Sequence, residues 1–276
     1  MPELPEVETI RRQIAPRVEG RVVRELRVLD PRWTAPLAPE AVIEAVEGRA
    51  VERLGRRGKY LVWHLEGDAH LVMHLRMTGT LLLDPRAGAP YGRVRFVLDD
   101  GTELLFCDPR RFGTGELAVS GEELSAFFAA RVGVEPFSDE FTAERLRELA
   151  RGRRMPVKAF LLDQKSIAGV GNIYADEALF RARIHPLRRA GALRRPQLAA
   201  LRDAVVGALS AGLDAGGATI DDFRHADGVM GAFQDEFLVH RRAGEPCRAC
   251  GTPVRKFVAA GRGTYACESC QPRPRR

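Results

Sequence analysis

Two CxxC knuckles, Cys247-x2-Cys250 and Cys267-x2-Cys270, separated by sixteen residues, constrain this chain more than any other feature. Knuckles at that spacing on a β-hairpin bring four thiolates into a tetrahedron, the geometry of zinc. A disulfide scaffold would spread its cysteines along the chain, whereas four of these five fall in the last thirty residues. Because protein fills all four ligand positions, the expected Zn2+ is structural. It would supply on the order of 10 kcal/mol to a segment too short to bury its own core. The fifth cysteine, Cys107, reads as a small buried residue at a strand end.

The periodicity of the rest divides the chain. From Pro2 to about Ile14, Leu4, Val7, Ile10 and Ile14 recur at three- and four-residue intervals among Glu3, Glu6, Glu8, Arg11 and Arg12. That spacing predicts an amphipathic helix starting at residue 2, where a first-turn proline costs no hydrogen bond. Residues 20–118 change to short β-rich runs, 60–65, 69–75, 92–98 and 103–107, broken by Gly, Asp and Pro. Such runs predict an antiparallel sandwich. Helical patterning returns near residue 121, and residues 142–223 alternate helices with glycine turns such as Gly169-Val170-Gly171 and Gly216-Gly217. The expected class is α+β with two domains. The partition is 1–130, 131–223, a mobile segment 224–243, and a ribbon with a basic tail 244–276.

A chain of 276 residues with 45% hydrophobic content can build its cores without disulfides. Its net charge of +6, rich in arginine, suits a polyanionic partner without proving one. No stretch approaches the roughly 18 apolar residues of a membrane span, and the start MPELPEVETIRR is too acidic for a signal peptide. A cytoplasmic monomer with no membrane association is therefore expected.

Three further constellations carry chemistry. Arg262, expected at the tip of the turn Ala260-Gly261-Arg262-Gly263, could touch phosphate or be a solvated charge. Gly169-Val170-Gly171-Asn172 before a helix could offer main-chain N–H groups and the Asn172 amide to a phosphate, or be a packing device. Asp108-Pro109-Arg110-Arg111-Phe112-Gly113 ends a strand with two cations and an aromatic, which could wedge a base stack or simply be core and solvent.

Taken in order, Pro2-Glu3-Leu4-Pro5-Glu6-Val7-Glu8-Thr9, Gly58-Lys59-Tyr60, His74-Leu75-Arg76-Met77-Thr78-Gly79, residues 108–113, residues 170–175 and the cysteine knuckles strongly resemble the formamidopyrimidine-DNA glycosylase family. The match runs through nearly the whole chain. The resemblance implies an N-terminal β-sandwich with flanking helices. It also implies a C-terminal helix-two-turn-helix domain ending in a zinc-ribbon hairpin, with damaged double-stranded DNA between the two. The implied activity is excision of 8-oxoguanine and formamidopyrimidines through a Pro2 Schiff base, then β,δ-elimination, with no organic cofactor.

Residue chemistry agrees with that implication. An α-amine has a pKa near 8, and a helix start should depress it, so Pro2 freed of Met1 could attack the anomeric carbon. The resulting iminium is an electron sink for elimination. By resemblance Glu3 is the proton donor, Lys59 acts in β-elimination and Arg262 in δ-elimination. Met77, Arg110 and Phe112 fill the gap left by the flipped base, with Arg110 facing the orphaned cytosine. Asn172, Arg153 and Lys158 match backbone-contacting positions. There are departures: Tyr91 stands where a DNA-contacting histidine is expected, Arg76 where a glycine is usual, and Met230 and Ala232 replace a proline and aromatic pair in the lesion-capping segment. The competing readings are an endonuclease VIII-type enzyme for oxidised pyrimidines and a non-catalytic zinc-ribbon DNA-binding protein.

Overall fold

The computed structural model describes residues 2–220 and 224–274. Its contacts divide the chain into two units, Met1–Ala130 with Ala215–Ala232 and Arg131–Asp214 with Phe233–Arg276.

The first unit opens with α1 (Leu4–Val18), whose Leu4, Val7, Ile10, Ile14 and Val18 form one fully buried stripe. The helix starts two residues later than its periodicity suggests. Glu3 is extended and acts as the N-cap, and Glu6 reaches back to accept its backbone N–H at 2.8 Å. Pro5 is thus the first-turn proline, and Pro2 lies just ahead of the cap.

After β1 (Val23–Val28) and α2 (Pro39–Val46) come β2 (Val51–Arg57), β3 (Tyr60–Leu65), β4 (Ala69–His74), β5 (Thr80–Leu83), β6 (Gly92–Leu98), β7 (Glu103–Cys107) and β8 (Thr114–Ala118), then α3 (Gly121–Arg131). They form two four-stranded antiparallel sheets, ordered β1-β6-β7-β5 and β2-β3-β4-β8. The indole of Trp63 in one sheet stacks on Phe96 of the other at 4.8 Å, so the core is the space between two apolar faces. Cys107 ends β7, and burial pushes its thiol up to about 11, which makes it inert at neutral pH.

The second unit is helical: α4 (Ala143–Ala150), α5 (Val157–Leu162), α6 (Asn172–Arg181) and α7 (Arg195–Asp214), followed by the hairpin β9 (Arg255–Ala259) and β10 (Arg262–Ala266). Helices α6 and α7 meet closely because Gly212 leaves room for Tyr174; a Cβ there would lie 2.4 Å from that ring.

The segment 224–243, read from sequence as one mobile stretch, is held at several points and belongs to both units. Ala226 exchanges hydrogen bonds with Gln13 and Leu83 in the first. In the second, the buried Glu177 carboxylate of α6 accepts the backbone N–H groups of Leu238, Val239 and His240 at 2.9–3.1 Å. The anchors are single polar side chains far away in sequence, which leave no periodic trace. Asp221, Asp222 and Phe223, at the end of the expected helical domain, lie outside the described residues.

Candidate active site and zinc ribbon

In the first unit the start of α1 and the β2–β3 turn are tied together. Pro2 is buried directly before the cap, and Glu3 is almost fully buried. The two carboxylate oxygens of Glu6 are divided between Glu3 N–H and Ala218 N–H, the latter at 2.7 Å, so the returning segment 215–232 is fastened to the helix start. Gly217 makes this approach possible: it has φ +81°, and a Cβ would come within 2.9 Å of the Glu6 side chain.

Two residues further along α1, Glu8 accepts from Arg11, Arg12 and Arg56 at 2.8–3.1 Å. Burial alone would raise its pKa. Hydrogen bonds from Arg11 and Arg12 and the charges of Arg11 and Arg56 outweigh that and hold it at about 2. Arg56 also donates to Gly58 O at 2.9 Å, inside the turn that carries the buried Lys59. His74 pairs across the sheet with Tyr60, edge to face at 4.6 Å, and accepts the Arg76 N–H on Nδ1. Burial, then the charges of Arg76 and Lys59, push its pKa down to about 3, so it is neutral beside the lysine. Glu3 is thus buried at the start of α1, and the turn that carries the buried Lys59 is tied through Arg56 to Glu8 of the same helix.

The second cluster in this unit is the pair of loops carrying Met77, Arg110 and Phe112. Arg110 and Phe112 are exposed, with the guanidinium 4.8 Å above the phenyl ring, and Met77 is half-buried. One fully buried carboxylate organises both loops: Asp108 accepts the N–H groups of Arg110, Phe112 and Gly113 at 3.2, 2.8 and 2.7 Å and the hydroxyl of Thr78. Sequence reasoning gave Asp108 no role. The available signal was a short acceptor opening a turn that must pass through a left-handed residue, Arg111 at φ +58°. Tyr91 joins the cluster through its carbonyl, which accepts Asp108 N–H at 3.0 Å, and its ring is exposed. Arg76, the departure from glycine, sits at φ +55°, a conformation glycine adopts without strain.

In the second unit the hairpin is docked on the helices. Asn172, the first residue of α6, donates from Nδ2 to Gly263 O at 3.1 Å, while its Oδ1 is buried without a hydrogen-bond partner. Lys158, matched from sequence to a backbone-contacting position, is enclosed by protein groups. It is completely buried and donates to Asp176 at 2.7 Å, Thr264 Oγ1 at 2.8 Å and Gly263 O at 3.1 Å, so its charge is spent holding the hairpin. Arg153 is half-buried and pairs with Asp163 at 3.0 Å and with Leu149 O. Arg262 is exposed as expected, but the tip is the two-residue turn Ala260-Gly261, both at positive φ, and Arg262 opens β10 opposite Ala259.

The four sulfurs of Cys247, Cys250, Cys267 and Cys270 all lie within 4.8 Å of one another, with 3.5 Å between Cys250 and Cys267 and 4.0 Å between Cys247 and Cys270. A tetrahedron with Zn–S bonds of about 2.3 Å has edges of about 3.8 Å, so the cradle fits one zinc ion with no position left for water. The chain carries one structural Zn2+ on these cysteines. Among the described residues no helix is long and apolar enough to cross a membrane.

Comparison with known proteins covers the whole arrangement. Residues 1–115 match the formamidopyrimidine-DNA glycosylase N-terminal domain, residues 132–224 its H2TH domain, and residues 244–273 a zinc finger found in FPG and IleRS. A formamidopyrimidine-DNA glycosylase of Symbiobacterium thermophilum is 46% identical over 99% of this chain and 90% of its own length. The crystal structure of the MutM (FPG) protein of Thermus thermophilus superposes with a TM-score of 0.89 at 42% identity, covering 99% of this chain and all of that one. A Lactococcus lactis FPG variant in complex with DNA containing Fapy-dG gives 0.90 at 33% identity, with the same coverage. With all three domains matched in order and identity this high across the full length, the chain belongs to the formamidopyrimidine-DNA glycosylase family.

Proposed function

We propose that this chain is a bifunctional DNA glycosylase and AP lyase of base excision repair, removing oxidised purines from double-stranded DNA. The observation that carries the reading is the start of α1, where Pro2 precedes a capped helix with a buried carboxyl group beside it. With Met1 removed, the Pro2 nitrogen forms a bond to the anomeric carbon as the bond to the damaged base breaks. Glu3 supplies the proton that opens the sugar ring, leaving a cationic iminium. Loss of a C2′ proton then expels the 3′ phosphate, with Lys59 placed to assist, and Arg262 serves the second elimination on the 5′ side. Met77, Arg110 and Phe112 occupy the vacated stack, and Tyr91 and Asn172 contact the strand. Arg153 contributes through its neighbours more than through a free charge. We assign residues 1–130 the chemistry through the first elimination, 131–223 and 244–276 the grip on DNA with Arg262 serving the second elimination, and 224–243 contact with the extruded base.

Lactococcus lactis FPG is solved on DNA containing Fapy-dG and on DNA containing an oxidised pyrimidine, so the purine preference is supported by the formamidopyrimidine-DNA glycosylase relatives and by the Met77, Arg110 and Phe112 set. Strand cleavage measured on matched 8-oxoguanine and thymine-glycol duplexes tests it: faster cleavage at 8-oxoguanine is expected, and a preference for thymine glycol would transfer the chain to the oxidised-pyrimidine class. Bacterial relatives support placing this activity in the cytoplasm, with the chromosome.

A further inference from the structure

We propose that a basic groove in the second unit is another phosphate-binding site, taking DNA backbone outside the stretch that surrounds the lesion. It extends the reading above to a second contact with the same partner. The groove has a volume of about 1000 Å³ and lies between the turn that follows α6 and residues 272–274. Asn172 begins α6 and the groove follows its end; ten helical residues span about 15 Å, so the two are at opposite ends of one helix.

Arg183, Arg188, Arg189 and Arg273 line the groove. Among the described residues none of the first three has a carboxylate within ion-pair distance, whereas Arg273 pairs with Glu268 at 2.7 Å. His185 lines it as well and is 2% exposed. Its Nδ1 accepts the Leu187 N–H at 3.2 Å, which puts the ring proton on Nε2, and that N–H has no hydrogen-bond partner. The nearest carboxylate oxygen, on Glu268, is 3.9 Å away, beyond hydrogen-bonding reach. The N–H is itself closed off from solvent, so it reports on charge gathered in the groove and the arginines do the binding.

The groove is also built on fixed supports. The His185 ring stacks on Phe257 of β9 at 5.5 Å, and the Arg273 guanidinium lies 6.0 Å from the same ring. Gln271, fully buried, donates to Ile184 O at 2.9 Å and accepts Cys267 N–H at 3.1 Å, so the second zinc knuckle sets the spacing of the two walls. Several unpaired guanidinium forks suit the paired oxygens of phosphate, and a groove this size exceeds what one free phosphate ion fills. A row of backbone phosphates matches both the number of cations and the volume.

Two measurements test this on the full-length zinc-loaded protein. In the first, inorganic phosphate is titrated while the His185 Nε2–H resonance is followed by NMR. A saturable shift is expected, weakened roughly tenfold or more in the Arg188→Glu, Arg189→Glu double variant. In the second, affinity for a short lesion duplex and for one several helical turns longer is measured against salt. On the long duplex the double variant should lose about 0.9 of logarithmic salt slope for each phosphate contact removed, while excising from the short duplex at the wild-type rate. Absence of any phosphate shift in the wild type overturns the site. A shift accompanied by equal salt slopes in the two proteins overturns the DNA assignment and leaves a pocket for a free nucleotide. Failure of the wild type to excise any lesion strikes the glycosylase reading instead, and the phosphate titration still judges the groove.

Discussion

Glu8 of α1 accepts a hydrogen bond from Arg56 Nε of β2 at 3.1 Å, with both side chains only 11% exposed, and this pair fastens the Lys59 turn to the helix that begins beside Pro2. Two groups assigned to successive chemical steps come from segments more than fifty residues apart, and this ion pair links those segments. The carboxylate is shared among three guanidinium groups, so its removal should be felt in both stability and chemistry.

Glu8→Gln should lower stability at pH 7 by on the order of 1–2 kcal/mol, a figure reduced for solvent screening. The folded pKa of about 2 lies below the ordinary value of 4.5. The stabilisation is therefore complete above pH 4.5 and is lost as pH falls through that range toward 2. Denaturant unfolding of the two proteins should show a gap at pH 7 that closes on acidification, and a gap independent of pH would refute the assignment.

Asp108→Ala leaves three loop N–H groups without their acceptor and should destabilise the protein by about 3 kcal/mol. Asp108→Asn, which keeps the shape, is the functional test. Excision from a duplex should fall about tenfold or more, because Arg110 and Phe112 lose their placement, while cleavage of a single-stranded abasic site, which needs no base extrusion, should stay near wild type. Equal losses on both substrates would show that the loop serves chemistry rather than the stack.

Cys267→Ser should abolish binding of one zinc ion per chain and reduce DNA affinity, since the hairpin carrying Arg262 unfolds. Chelation should do the same to the wild type. Lys158→Met should mimic this loss partially, lowering ribbon stability without changing the salt slope for DNA, because its ammonium group is buried on Asp176, Gly263 and Thr264. A drop in slope of about one unit would restore Lys158 as a phosphate contact.

Arg76→Gly should stabilise the protein by up to about 1 kcal/mol, since the left-handed backbone at φ +55° penalises any residue with a Cβ. Thermal unfolding measures it directly, and a lower melting temperature would mean that the arginine side chain makes a compensating contact.

Much of this arrangement was legible in the residues themselves. The α1 stripe, four of the strands, Cys107 and the zinc knuckles follow from spacing alone, because each depends on neighbours within a turn, a strand or a hairpin. What escaped depends on long-range polar partners. Nothing near Lys158 reveals that Asp176 and the hairpin backbone will bury it, and nothing near residues 238–240 reveals that Glu177 will collect their N–H groups. The true helix start escaped for a local reason: Glu3 and Glu6 form a capping box, and the proline at position 5 fits the first turn as well as the one at position 2.

The central claim, that the Pro2 amine is the nucleophile, is tested most directly by borohydride trapping on 8-oxoguanine duplex DNA, with the reduced adduct mapped by mass spectrometry. A single covalent complex should form through Pro2 of a chain lacking Met1, and Pro2→Gly should trap far less. No adduct with the wild type, or an adduct that maps to Lys59 and survives the Pro2 substitution undiminished, would contradict it.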